Sequence, residues 1–212
     1  MEEPFVTRGF SGKRRNPDKA DRIPPGQYET HDFPVLSAGP TPKVRLDRWE
    51  LKLEGLVEEP VTLSWEDFME CPAQTYKVDI HCVTKWSKLD TLWEGVSVDD
   101  LLSQVRLKPE AKYALIFCYG GYTTNLPLED LCDNKAFMAY RYGGFPLAPE
   151  HGGPVRLVVP HLYFWKSAKW VQGIRFLSED EAGFWERAGY HMYGDPWKEE
   201  RIPCTHLALF QK

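Results

Sequence analysis

The sequence predicts an α+β fold, on three observations. Short strand candidates follow one another closely, the loops between them are rich in glycine and proline, and helical periodicity is confined to brief stretches. No internal repeat and no domain linker divides the 212 residues, so one domain of mixed sheets with short helices is expected.

Residues 1–48 carry many prolines, glycines and charges (Pro17, Pro24, Pro25, Gly26, Pro34, Gly39, Pro40, Pro42) with little periodicity, and they read as an extended N-terminal arm. Phe10, Tyr28 and Phe33 favour its packing on the body, because disordered tails are poor in aromatic residues. From Trp49, apolar Trp49, Leu51 and Leu53 alternate with Glu50, Lys52 and Glu54, the period-two signature of a half-buried strand. Ser64 caps a short helical turn through Phe68. Tyr76, Val78, Ile80 and Cys82 alternate with Thr75, Lys77, Asp79 and His81, a second strand that points Cys82 inward. Ser97 followed by Asp100 resembles a capping box, and Val98, Leu101, Leu102 and Val105 predict an amphipathic helix running toward Pro109. Further strands are expected at residues 113–117, 136–140, 155–159 and 173–176, and a last helix from Ser178 to Ala188.

A formal net charge of -5, with 26 Lys and Arg scattered among 31 Asp and Glu, argues against a nucleic-acid partner. No apolar run reaches the roughly 18 residues of a membrane span. The twin arginine Arg14-Arg15 is followed by Asn-Pro-Asp-Lys rather than an apolar stretch, so the protein is expected to be cytoplasmic. The five cysteines show no CxxC and no disulfide-scaffold spacing, which leaves reduced thiols as the expectation and gives no signature of a zinc site built with His81 or His206.

Two segments carry the chemistry. In Asp79-Ile80-His81-Cys82-Val83-Thr84-Lys85-Trp86-Ser87, the inward Cys82 is either a small core residue or a metal ligand, and Lys85 and Lys88 nearby would favour its thiolate. In His151-Gly152-Gly153-Pro154-Val155-Arg156, followed by Lys166-Ser167-Ala168-Lys169, paired glycines allow close backbone approach. The cations Arg156, Lys166 and Lys169 beside small residues could hold a phosphate, or else line a solvated basic loop. Tyr119, Tyr122, Thr123 and Thr124 occupy a glycine turn that serves equally as a surface loop or a site loop. Trp86, Trp93, Trp165 and Trp170 flank both segments, chiefly as packing and in part as walls of a pocket.

Together, HCVTKWS with the downstream WEGV, and GGPVRLVVP followed by YFWKSAKW, resemble the molybdopterin-binding domain of the sulfite oxidase family, its small bacterial members above all. The likeness covers roughly residues 22–178, and it implies a sulfite-oxidase-like fold in which residues 49–212 form the oxidoreductase domain. It implies a molybdenum-molybdopterin cofactor, with Cys82 as thiolate ligand to the metal and a soft sulfur donor suited to it. Arg156, Ser167, Ala168 and Lys169 match the residues that hold the cofactor and its phosphate. His151 stands where the methionine-sulfoxide reductase relatives place an asparagine on the cofactor, and Tyr28 and Glu29 resemble a Tyr-Glu pair that contacts the pterin.

The activity so implied is two-electron oxo transfer to or from a small-molecule substrate, such as a sulfoxide or N-oxide, with molybdenum cycling between its +6 and +4 states. The alternatives are oxidation of sulfite or another sulfur compound, and cofactor binding without turnover. The stretch Val35-Leu36-Ser37-Ala38-Gly39-Pro40-Thr41-Pro42 lacks the arginine that binds sulfite in the family's sulfite oxidases, which weighs against a dianionic substrate. No CxxCH, iron-sulfur spacing or GxGxxG is present, so an unidentified electron-transfer partner is expected, and the lack of the family's dimerisation domain sets the expectation of a monomer.

Overall fold

A computed structural model describes residues 21–203; Phe10, Pro17, Arg14-Arg15, Cys204 and His206 fall outside the described residues. The elements run β1 (Tyr28–Glu29), β2 (Glu50–Gly55), β3 (Val61–Ser64), α1 (Trp65–Glu70), β4 (Ala73–His81), β5 (Trp86–Ser97) and α2 (Val98–Leu102). They continue as β6 (Tyr113–Cys118), β7 (Thr123–Pro127), β8 (Phe137–Tyr142), β9 (Phe145–Pro146), β10 (Arg156–Val158), β11 (Val171–Leu177) and α3 (Phe184–Arg187).

Two mixed sheets form. One has the order β3-β2-β11-β6-β7, with β11 parallel to β2 and antiparallel to β6. The other has the order β1-β5-β8-β10, with β4 added on β5 and β9 on β8. The alternation that starts at Trp49 buries Trp49, Leu51 and Leu53, and these pack with Ile116, Ile174 and Phe176 in the larger apolar cluster. The second sheet is covered on both faces. Met138 and Tyr140 of β8 join the larger cluster, while Phe137 and Ala139 join a smaller one with Ile80, Cys82, Trp86 and Trp93. Leu157 and Val158 divide in the same way. Burial on both faces is why residues 155–159 read as a continuous apolar run rather than an alternating one.

Ser64 and Asp67 form a reciprocal capping box at the start of α1. The helix expected to run toward Pro109 ends instead at Leu102. Beyond it the backbone pairs with the β2–β3 turn: Glu58 N donates to Arg106 O and Lys108 N to Leu56 O, both at 2.9 Å, so tertiary pairing overrides helical periodicity. Ser97 caps α2 through Asp99 N, not through a box with Asp100, and the Asp99 carboxylate accepts from the amides of Asp133 and Asn134. The last helix is shorter than expected as well. It spans only Phe184–Arg187, after Asp180 has been drawn onto the Asn125 side chain at 2.7 Å. β5 and β7 were not foreseen as strands, since their burial follows no clean alternation.

Candidate active site

Cys82 follows β4 directly and opens the turn into β5. Its amide donates to Trp86 O at 2.8 Å, its carbonyl accepts from Lys85 N at 3.0 Å, and Lys85 adopts φ +74° to close the turn. Two distant segments clamp the turn: Gln27 Nε2 donates to Cys82 O and Arg201 Nε to Val83 O, each at 3.3 Å. The thiol is buried and receives a hydrogen bond from Thr84 Oγ1 at 3.1 Å. Burial pushes its pKa up, opposed by Thr84 and by the backbone amides of Thr84 and Val83. The expected help from lysines does not materialise in this geometry, as Lys88 Nζ is engaged by the His31 carbonyl and neither Lys85 nor Lys88 contributes to the shift.

Cys82 lines a cavity of about 510 Å³. The glycine turn after β9 supplies its basic side. Gly152 has φ +110°, and a Cβ there would lie 3.0 Å from the Cβ atoms of both Arg156 and Lys169, so the close approach of these two cations requires glycine. Arg156 is 1% exposed and has no carboxylate partner: it donates to His151 O at 2.8 Å and Ser167 O at 2.7 Å, and its Cζ lies 4.1 Å from the Phe164 ring centroid. Burial brings its pKa down to about 9. Lys169, lowered to about 8 by burial and then by Arg156, donates to Leu36 O and Glu150 O. His151 stacks on Phe33 and is held toward its neutral form by burial, Arg156 and Lys169.

His151, Arg156, Ser167, Ala168 and Lys169 thus share one cavity with Cys82. Ser167 Oγ accepts from Val159 N at 2.9 Å, which leaves its O–H able to donate. Tyr28 and Glu29 are not among the lining residues; β1 holds them parallel to Trp86 and Ser87 of β5. Lys166, the third cation of that segment, does not line the cavity. It is buried in an ion pair with Glu186 at 2.7 Å and donates to Asn125 and Met192 O. Phe33, Pro34 and Leu36 of the arm and Trp185 and Tyr190 of the C-terminal segment also line the cavity. Sequence reasoning missed them because irregular chain offers no periodicity; the aromatic content of the arm was the one available signal.

Among the described residues, no Asp or Glu lines this cavity, and no group of three or more His, Cys, Asp or Glu is placed to hold a metal ion. A buried thiol and a buried guanidinium without a counter-charge, facing one cavity, are a donor set for a soft metal attached to an anionic cofactor. Residues 38–185 match the family model described as the oxidoreductase molybdopterin binding domain. The chain belongs to this family.

Relatives agree with the assignment. The uncharacterized oxidoreductase YuiH of Bacillus subtilis is 49% identical over 91% of this chain and 98% of its own length. The NADPH nitrate reductase of Fusarium oxysporum is 32% identical over 68% of this chain and 18% of its own length, and the NADH nitrate reductase of Lotus japonicus is 26% identical over 82% of this chain and 22% of its own length. This chain therefore spans about a fifth of those nitrate reductases. In fold it is similar to the sulfane dehydrogenase SoxCD of Paracoccus pantotrophus, with a TM-score of 0.60 and 23% identity over 66% of this chain and 41% of that one. This member of the molybdopterin-binding oxidoreductase family accordingly has a sulfite-oxidase-like α+β fold and uses molybdenum-molybdopterin.

The residues present fit that cofactor. Trp86 Nε1, His151 Nδ1 and Arg156 Nε are buried polar atoms without a protein partner, and all three belong to residues lining the cavity. Leaving such atoms unpaired is costly, and a polar ligand with an anionic end removes that cost. Among the described residues no helix is long and apolar enough to cross a membrane.

Proposed function

We propose that this oxidoreductase reduces a small neutral oxide, a sulfoxide or N-oxide, by two-electron oxo transfer, with Cys82 as the thiolate ligand to molybdenum. Arg156 and Lys169 would hold the cofactor's phosphate, with Ser167 and Ala168 giving room for it and His151 meeting the pterin. The observation that carries this reading is Arg156 itself: a buried guanidinium with a free Nε and no carboxylate, on the wall of the cavity that holds the buried Cys82. Without an anionic ligand that charge is desolvated for nothing.

When bound, the cofactor supplies a two-electron redox centre that exchanges an oxygen atom with the substrate. The protein's share is placement and environment. The Cys82–Lys85 turn, clamped by Gln27 and Arg201, fixes where the sulfur stands. Phe33, Trp86, Phe164 and Trp165 wall the site with apolar rings. In the overall reaction the S=O or N–O bond breaks, two electrons from an external carrier and two protons are consumed, and the thioether or amine and one water are released.

The neutral substrate is favoured over sulfite by charge. Arg156 and Lys169 are the cavity's lysine and arginine lining, both engaged as above, and the Val35–Pro42 stretch brings no further cation to it. Molybdenum and zinc analysis with fluorescence of the released oxidised pterin, on wild type and Cys82→Ser from molybdate-supplemented culture, tests the cofactor site. Assays in both directions, with reduced viologen and an oxide or with ferricyanide and sulfite, test the reaction. Near-stoichiometric molybdenum and pterin with oxide reduction is the expected result; sulfite oxidation as the faster direction, or full turnover by Cys82→Ser, would overturn it.

A further inference from the structure

The family match ends at residue 185, and the cavity is lined by Phe184 and Trp185 at that end and by Tyr190 just beyond it. Gly183 sits so close to the backbone at Thr124 that a Cβ would lie 2.6 Å from the Thr124 Cα, which presses the start of α3 against β7. From there Phe184 and Trp185 reach the cavity, and Tyr190 is drawn beside them by its backbone N–H, which donates to Trp185 O at 3.0 Å. The rings form a continuous wall. Centroids are separated by 5.1 Å for Phe184 and Trp185, 4.9 Å for Trp185 and Tyr190, and 5.2 Å for Tyr190 and Trp165. Phe184 is exposed whereas Cys82 and Trp86 are buried, so the wall stands on the open side of the site.

A buried pair fixes this wall to the rest of the cavity. Glu186 Oε1 accepts from Lys166 Nζ at 2.7 Å and from Trp165 Nε1 at 2.8 Å, and both charged side chains are fully buried. Lys166 spends its other hydrogen bonds on Asn125 and Met192 O. An ion pair this deep is weak evidence of added stability, and Glu186 Oε2 has no protein partner, but the donors of Lys166 and Trp165 directed at Oε1 specify one arrangement of the segments they join. The segments joined are the loop carrying Trp165 and the helix carrying Trp185.

The wall offers ring faces and no cation. A small dianion entering here would be desolvated without a partner, whereas a neutral molecule with a flat apolar group gains ring contact. We propose that Phe184, Trp185 and Tyr190 are specificity-determining residues that select an oxide bearing an aryl or similarly broad apolar substituent, and that Lys166 and Glu186 are positioning residues that set them. The substrate class rests on the oxide-reducing reading above; the wall does not.

The test uses holoenzyme with methyl phenyl sulfoxide and dimethyl sulfoxide, and follows binding of each oxide separately, without turnover, by quenching of tryptophan fluorescence. Wild type should show a KM for the aryl oxide at least about tenfold below that for dimethyl sulfoxide, the range expected for one well-packed apolar group. Trp185→Ala should raise the aryl KM about tenfold while kcat and the dimethyl KM stay within about twofold. Glu186→Ala should reproduce that split, and Glu186→Gln, which keeps an acceptor oxygen for Trp165 and Lys166, should restore it. If Glu186→Ala does not fold by near-ultraviolet circular dichroism, Tyr190→Ala and Trp185→Leu carry the same comparison. Equal binding of the two oxides by wild type, or equal losses for both in the variants, overturns the wall. Binding with aryl preference but no reduction of either oxide keeps the wall and removes the reaction it was joined to.

Discussion

Phe33 and His151 stack ring on ring, 4.0 Å between centroids and 13° from parallel. The contact joins the arm to the glycine turn of the site. Trp86, Trp93, Tyr142 and Phe164 surround Phe33 at 5.0–6.5 Å, so this ring anchors the irregular stretch that covers the cavity, beside the bonds of Lys88 to His31 O and Lys169 to Leu36 O. Phe33→Ala should lower stability by about 1–3 kcal/mol, below a full core truncation because the ring is half-buried. Hydrogen exchange should accelerate at residues 30–42 and stay slow in β2 and β11. Unchanged exchange in the arm stretch would show that something other than Phe33 seats it.

Arg156 separates stability from function. Its guanidinium is buried without a counter-charge, so Arg156→Met removes a desolvation cost while leaving His151 O and Ser167 O each short of a donor. These effects oppose each other, and the apoprotein's unfolding free energy should stay within about 2 kcal/mol of wild type. Pterin content should fall at least about tenfold, as expected when a buried charge-assisted contact to a phosphate is lost. Denaturant melts of apoprotein beside pterin content of purified protein make the comparison. Retained pterin would move the phosphate away from Arg156.

Lys166 shows where the sequence stops being legible. The pattern Lys166-Ser167-Ala168-Lys169 puts two cations on one loop, and only the fold reveals that one enters the cavity while the other turns into a buried pair with Glu186. Glu186 lies 20 positions away, in a helix of four residues, and nothing local links it to Lys166. By contrast, Cys82 was readable from the residues, because it continues the alternation of β4, while Arg156 stands in a run without alternation and was readable through the resemblance of its motif. The same contrast holds for the fold. Strands with one clean apolar face, such as β2, were foreseen, whereas β5, which is β4's partner along its whole length, mixes buried and exposed positions and was not. Helices were overextended wherever an acidic side chain or a paired backbone beyond the first turn redirected the chain.

The buried pair itself gives a prediction of opposite character to that for Arg156. Lys166→Met leaves Glu186 buried with only Trp165 Nε1 as partner, and should cost about 3–5 kcal/mol, the usual penalty for an uncompensated buried charge. The double variant Lys166→Met/Glu186→Leu should recover at least half of that loss, since neither charge remains to be desolvated. Urea melts of the three proteins at neutral pH provide the measurement. Because Lys166 lies outside the cavity lining, the single variant that still folds should keep its pterin. Loss of pterin from folded Lys166→Met would return this lysine to the phosphate.

Lys169 makes the site sensitive to alkaline pH. Burial, and after it Arg156, brings its pKa from 10.5 down to about 8. The folded state therefore disfavours the ammonium. As pH falls from 10.5 toward about 8 the unfolded chain takes up a proton that the folded chain does not, so this group's contribution to stability is lost across that window and constant below it. An anion placed against Lys169 reverses the preference, because an opposite charge favours the charged form. Pyrophosphate binding to cofactor-free protein should then take up a fraction of a proton near about pH 8.5 and close to none near about pH 6.5, where Lys169 is already charged. Calorimetry in two buffers of different ionisation enthalpy reads this uptake directly, once the anion's own protonation is subtracted, and Lys169→Met should leave only the smaller share that Arg156, lowered to about 9, takes up. Heats that show no Lys169-dependent uptake at the higher pH would place the bound anion away from this ammonium and leave Arg156 as its holder.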